Sequence, residues 1–235
     1  MATRNWRDYI PDEVKNFCKE NKFGGRLGFG RNPVLLVIDM QVGSLGERGE
    51  SLEVSVKKNP HSAGQIGWEA LDLIRELLAE ARMRGVPIIY TKMVKPSPAV
   101  KPFRTKFPAS RERNTPPRNL EIVDEISPTE NDIVIEKEAY SAFFGTPLLS
   151  YLHQLQADTL LITGRTTGSC VRSTALDAAQ HNFYTILVEE CVFDRTPITH
   201  AFNMFELDTR FADVLPLNEV MEYLKGFKRA TVATN

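Results

Sequence analysis

The stretch from Thr159 to Ala179 constrains this chain more than any other. An apolar run, Thr159-Leu160-Leu161-Ile162-Thr163, gives way to Gly164-Arg165-Thr166-Thr167-Gly168 and then to Ser169-Cys170-Val171. A short apolar run closed by a small-residue turn predicts a buried strand, and the spacing of Val171, Thr174, Ala175 and Ala178 predicts a helix after it. Cys170 then falls in the first helical turn, against the positive end of the helix dipole and near unpaired backbone N–H groups. Those surroundings favour the thiolate and lower the thiol pKa, so Cys170 is expected to act as a nucleophile.

The same strand-then-helix pattern recurs along the chain, as expected of parallel strands alternating with helices. Strands are predicted at Pro33–Asp39, Val86–Met93, Asp132–Glu136, Thr159–Thr163, Tyr184–Glu189 and Asp213–Leu215. Leu71, Ile74, Leu77, Leu78 and Ala81 repeat at helical spacing before Gly85, which reads as a helix end. Thr196-Pro197 is an N-cap and first-turn pair opening a helix that carries Ile198, Phe202 and Phe205.

With 235 residues and 42% hydrophobic content, the chain suits one α/β domain better than two. Its 29 basic and 30 acidic residues give a net charge of −1, which leaves no overall field for nucleic acid or an anionic membrane. A small-molecule partner is expected. No run approaches the roughly 20 apolar residues that span a bilayer, and Met1–Phe17 lacks the apolar centre of a signal peptide. A cytoplasmic location follows as an expectation. Cys18, Cys170 and Cys191 have no metal-ligand spacing and cannot all pair, so reduced thiols are expected.

Two segments break the alternation. Residues 1–32 are polar and end Gly-rich; they read as a wrap over the domain or a neighbouring subunit, or as a disordered tail. Val94–Pro128 holds seven of the fourteen prolines together with Lys95, Lys101, Arg104, Lys106, Arg111, Arg113 and Arg118. A loop of that length is usually functional or an interface element.

Asp39 closes the first strand and Lys137 follows the third, so both fall at the carboxyl edge of the sheet, where ligands of open α/β proteins bind. Taken singly, each also reads as a structural or solvated residue. Cys170 at the same edge raises the weight of both.

Four pieces in register, Leu36-Val37-Ile38-Asp39-Met40-Gln41, Lys137 with Tyr140-Ser141-Ala142-Phe143 and Thr146-Pro147-Leu148, Gly164–Thr174 around Cys170, and Asp194-Arg195, resemble the isochorismatase-like cysteine hydrolases. Within that family the likeness is to N-carbamoylsarcosine amidases and maleamate amidohydrolases. The resemblance runs from about Gly28 to Pro216 and implies a three-layer α/β/α fold, a six-stranded parallel sheet of order 3-2-1-4-5-6, and assembly as a homotetramer or dimer. It divides the chain into an extension (1–32), a hydrolase domain (33–225) and a tail (226–235).

The resemblance further implies a catalytic triad of Asp39, Lys137 and Cys170, with a cis peptide at Arg165-Thr166 that turns the Thr166 N–H toward the Cys170 N–H as an oxyanion hole. Arg195 matches an arginine that meets a substrate carboxylate, with Thr167 and Arg165 as further substrate-binding positions. Arg165 departs from the family's small or aliphatic residue and reads equally as a pocket cation or a subunit contact. The metal-binding Asp and His set of nicotinamidases is missing from Tyr90-Thr91-Lys92-Met93-Val94-Lys95, so neither a metal nor another cofactor is implied. The activity implied is cleavage of a linear C–N amide bond in a small, carboxylate-bearing substrate, through an acyl-thioester and with release of ammonia. Alternatives are a vinyl-ether hydrolase of the isochorismatase type, which does not use the cysteine, and an idle binding member of the fold. His61, His153, His181 and His200 are scattered and carry no assignment.

Overall fold

The computed structural model describes residues 5–95, 97, 106 and 116–227. Six strands form one parallel sheet: β1 (Pro33–Ile38), β2 (Ile88–Met93), β3 (Ile133–Lys137), β4 (Thr159–Arg165), β5 (Tyr184–Phe193) and β6 (Asp213–Leu215), in the order β3-β2-β1-β4-β5-β6. The α-helices are α1 (Asp12–Glu20), α2 (Val42–Leu45), α3 (Leu52–Lys58), α4 (Gln65–Met83), α5 (Leu148–Gln154), α6 (Arg172–Gln180), α7 (Pro197–Arg210) and α8 (Leu217–Gly226). Strand order reverses between β1 and β4, which makes their carboxyl ends the place where a crevice opens.

Alternate side chains of each strand feed two cores. On one face Leu35 and Val37 of β1 pack with Leu71, Ile74, Leu77 and Leu78 of α4 and with Val220 and Leu224 of α8. On the other, Val34, Leu36 and Ile38 meet Leu148 and Leu152 of α5, Ala175 and Ala178 of α6, and Met204 and Leu207 of α7. All six β1 residues are buried, the mark of a central parallel strand covered on both sides. Each large aliphatic side chain so buried stabilises by roughly 1.5–3 kcal/mol. Helix α4 stops where expected: Gly85 takes φ +69° and the Val86 N–H bonds the Ala81 carbonyl at 2.9 Å, a glycine-terminated helix end.

Helix α7 forms where Thr196-Pro197 predicts it, yet its buried residues are Ala201, Asn203, Met204 and Leu207, while Ile198 and Phe202 face out. Strands β4 and β5 run beyond their expected ends. A register shift lets Ile162 pair with Leu187 but Gly164 with Val192 and Arg165 with Phe193. The extra length of β5 carries Asp194 and Arg195 to the end of β4.

The amino-terminal segment packs on its own domain. Trp6 is buried and its indole N–H donates to Glu189 at 2.9 Å. The Leu27 and Gly28 N–H groups bond the Asp213 carboxylate, and those of Arg31 and Asn32 bond Asp158. These acceptors hold the irregular stretch from Leu27 to Asn32 in place by giving its backbone N–H groups the partners that no helix or strand supplies there.

Most of the basic residues of the long loop, Lys101, Arg104, Arg111 and Arg113 among them, lie outside the described residues. Its final part packs into the core instead of remaining an open loop. Ile122, Val123 and Ile126 are buried, and Gln41 pins the segment by donating to the Met93 and Leu120 carbonyls at 2.9 and 2.6 Å.

Gly164 is where sheet packing and the site meet. Its φ is +99°, and a Cβ there would press into the Ile38 carbonyl oxygen and lie 2.8 Å from the Ile38 nitrogen. Gly164→Ala is therefore expected to destabilise the protein by more than about 1 kcal/mol and to lower turnover per folded molecule. Urea unfolding together with activity measures both; an Ala variant of unchanged stability and turnover would contradict this packing.

Candidate active site

The topology sets the residues in a row. Lys137 is the last residue of β3 and pairs with Met93 of β2; Thr91 of β2 pairs with Ile38 of β1; Asp39 follows Ile38 directly. Asp39 adopts φ +52°, a left-handed conformation that a short polar side chain tolerates better than most and that ends the strand. Its N–H bonds the Thr91 carbonyl at 3.1 Å, and the Thr91 hydroxyl donates to Oδ1 at 2.8 Å.

The other carboxylate oxygen accepts from Lys137 Nζ at 2.7 Å. Lys137 is 2% exposed, so this is a buried ion pair. The ammonium also donates to the Ala139 and Tyr140 carbonyls, both at 3.1 Å, and meets the Met93 sulfur at 3.1 Å. Those carbonyls are held in turn by the next residues: Ser141 donates to Asp177 at 2.5 Å and the Ala142 N–H to Thr174 at 2.9 Å, which ties the segment to α6. Burial works against the Lys137 charge, but Asp39 and the Cys170 sulfur outweigh it and hold the pKa above that of a free lysine. It is cationic at neutral pH.

Cys170 lies in a π-helical turn, Thr167–Val171, that precedes α6. It is buried, and its thiol responds to Asp39 and Lys137 through both charge and side-chain contact. Here the structure corrects the expectation of a lowered pKa. Burial and then the Asp39 charge push the thiol up to about 12, and Lys137 only partly offsets them. A helix-terminus dipole is a modest effect, whereas removing a thiolate from water beside a carboxylate is a large one. The resting group is a neutral thiol next to a carboxylate able to take its proton.

The Arg165-Thr166 bond is cis, and the Thr166 N–H has no hydrogen-bond partner among the described residues. Gly168 donates its N–H to Asp194 at 3.0 Å. A Cβ on Gly168 would come within 2.6 Å of the Thr199 methyl, so only glycine lets α7 approach this turn so closely.

Thr167, expected to touch substrate, is fully buried, and its hydroxyl is engaged with His200 Nδ1 at 2.9 Å. Its side chain fixes the turn from behind. Arg195 is half-buried and donates to the Pro60 carbonyl. Arg165 is buried beside the site. Thr91, Gln41 and His200 were not singled out as site residues by sequence; the register of β2 against β1 is the signal that would have found Thr91. Among the described residues, no group of three or more His, Cys, Asp or Glu side chains is placed to hold a metal ion. Nor is any described helix long and apolar enough to cross a membrane.

The thiol state has a direct consequence. Alkylation of Cys170 by iodoacetamide is expected to be slower than that of a free thiol at pH 8, and to keep rising beyond pH 9 because the folded-state pKa lies above the ordinary value. The alkylated peptide measured by mass spectrometry across pH reports this; a plateau reached near pH 7 would contradict it.

Known proteins share this sequence pattern and this fold. The chain is 32% identical over 206 residues to a maleamate amidohydrolase of Pseudomonas putida, covering 86% of this chain and 92% of that protein. It is 30% identical over 220 residues to an N-carbamoylsarcosine amidase of Arthrobacter, covering 87% and 76%. Among solved structures, the N-carbamoylsarcosine amidase of Thermoplasma acidophilum superposes with a TM-score of 0.62 at 26% identity, over 80% of this chain and 97% of that one. The isochorismatase domain matches residues 33–219. The α/β fold and the matched span together place this chain in the isochorismatase domain family.

Proposed function

We propose that this protein is a cysteine amidohydrolase that cleaves the C–N bond of a small, carboxylate-bearing amide, such as maleamate or an N-carbamoyl amino acid. The observation that carries the reading is the meeting of Asp39, Lys137 and Cys170 in one buried cluster, beside the unpartnered N–H of Thr166.

Asp39 takes the Cys170 proton as the sulfur attacks the amide carbonyl carbon, and Lys137 holds the carboxylate in position through its hydrogen bond. The oxyanion is received by the Thr166 and Cys170 N–H groups; one such donor is typically worth about 100 to 1000-fold in rate. Asp39 then passes the proton to the departing nitrogen, the C–N bond breaks, and ammonia leaves an acyl-thioester on Cys170. Water attacks the thioester with Asp39 again as base, which releases the acid and restores the thiol. The scheme needs no metal or cofactor. In this reading Arg195, which matches the arginine that the family resemblance assigns to the substrate carboxylate, meets that group in exchange for the Pro60 carbonyl. We further infer a cytoplasmic enzyme that assembles as a homo-oligomer, for which the outward-facing Ile198 and Phe202, one turn apart on α7, offer an apolar surface.

Ammonia release from maleamate, N-carbamoylsarcosine, ureidoacrylate and nicotinamide tests the reading. The wild-type protein is expected to favour the first three, and Cys170→Ala to lose turnover by at least about 1000-fold while its circular dichroism stays native. A folded Cys170→Ala protein with near-normal turnover would overturn it.

A further inference from the structure

Arg165 is the feature that the scheme above leaves without work. It ends β4, is 8% exposed, and its side chain makes no hydrogen bond or ion pair with any described residue. Several other arginines of the chain have a carboxylate partner: Arg48 pairs with Asp72, Arg82 with Asp132, Arg84 with Glu80 and Arg172 with Glu206. Nor is the Arg165 guanidinium sealed in protein. Among the described residues, Trp68 Nε1 is the one fully enclosed side-chain nitrogen or oxygen without a partner, so the nitrogens of Arg165 keep an opening to solvent.

The charges around it do not balance within the protein. Burial and then the neighbouring Arg195 lower its pKa to about 10, which leaves it cationic at neutral pH. Asp39 is committed to Lys137 and Thr91, and Asp194 to the Gly168 N–H. Cys170 is neutral at rest. Arg165 and Arg195 lie close enough for their charges to oppose each other, and Asp39 and Asp194 offset Arg165 only from a distance while bonded elsewhere; a buried cation with no paired counter-charge is costly. An anion from outside would satisfy it.

We propose that Arg165 is a specificity-determining residue that grips the carboxylate of the substrate through its guanidinium fork, with Arg195 as the second positive wall of the same subsite. A fork of parallel N–H donors suits a carboxylate better than a point charge does. Because Thr166 follows Arg165 directly, the anion grip and an oxyanion donor belong to one turn. The carboxylate and the scissile carbonyl must then lie a few bonds apart in one small molecule. Half-amides of short dicarboxylic acids and N-carbamoyl derivatives of small amino acids share that chemistry; neutral and aromatic amides lack it. This rests on the amidohydrolase reading, which it sharpens.

The test compares matched pairs, maleamate with maleamide and N-carbamoylsarcosine with its methyl ester, in the wild-type, Arg165→Met and Arg165→Lys proteins. The preference for the anionic member, as a ratio of kcat/KM values, is expected to fall about 100-fold in Arg165→Met, mainly through KM, with partial recovery in Arg165→Lys. The pair that shows the larger loss tells half-amide from N-carbamoyl substrate. An unchanged ratio, or equal losses on both members, overturns the subsite and leaves the hydrolase standing. If Arg165→Met does not fold, Arg165→Lys decides: it loses the fork and should lower the ratio by at least about tenfold, and an unaltered ratio is fatal. Calorimetry of maleate with Cys170→Ala protein reads the subsite without turnover. Binding that Arg165→Lys weakens supports it, and no binding, or binding indifferent to Arg165→Lys, overturns it. Wild-type protein that releases no ammonia from any amide sinks the amidohydrolase reading instead, and maleate binding then judges the anion site alone.

Discussion

The site is organised around the ion pair between Lys137 and Asp39, two opposite charges held at 2.7 Å with almost no water around them. Removing either charge from water is expensive, and a buried pair survives only when its remaining donors and acceptors are filled. They are filled here: the ammonium by the Ala139 and Tyr140 carbonyls and the Met93 sulfur, the carboxylate by the Thr91 hydroxyl. The carboxylate fixed in this way is the basic group that meets the thiol, whose pKa burial and the Asp39 charge push up to about 12, so the proton stays on sulfur at rest. Burial, which disfavours the thiolate at rest, thus fits a nucleophile made only when substrate is present.

The fold supplies the pair because of strand order. With β3, β2, β1 and β4 side by side and parallel, the carboxyl ends that carry Lys137, Asp39 and the Gly164–Gly168 turn lie along one edge, although Asp39 and Lys137 are 98 residues apart in sequence. Two glycines make the approach tight enough: Gly164 lets β4 meet the backbone of Ile38, and Gly168 lets α7 meet the turn before Cys170. The long β5 contributes at the same edge by bringing Asp194 to the Gly168 N–H.

Much of this was legible in the chain. Apolar runs and helical spacing located all six strands and the helices α4, α6 and α7, because burial on both faces of a parallel sheet leaves a strong pattern. What stayed hidden depends on distances that cross the sequence. Thr91 looks like any strand threonine until the β1–β2 register sets it beside Asp39. His200 and Thr167 meet only because α7 folds over the turn. The thiol pKa went in the opposite direction from a local reading, since the helix terminus is written in the sequence while burial and the facing carboxylate are not. Within residues 5–32, α1 repeats Val14, Phe17 and Cys18 at helical spacing yet buries none of its residues, so tertiary acceptors such as Asp158, Glu189 and Asp213 do much to fix the course of the segment.

The central claim is that this buried acid, amine and thiol perform covalent chemistry on sulfur. Rapid acid quench of the enzyme during turnover of maleamate, followed by mass spectrometry of the Cys170 peptide, tests it most directly. The account predicts a transient adduct equal to the substrate less ammonia, confined to Cys170 and lost on further incubation. Sustained ammonia release with Cys170 unmodified at every quench time would contradict it.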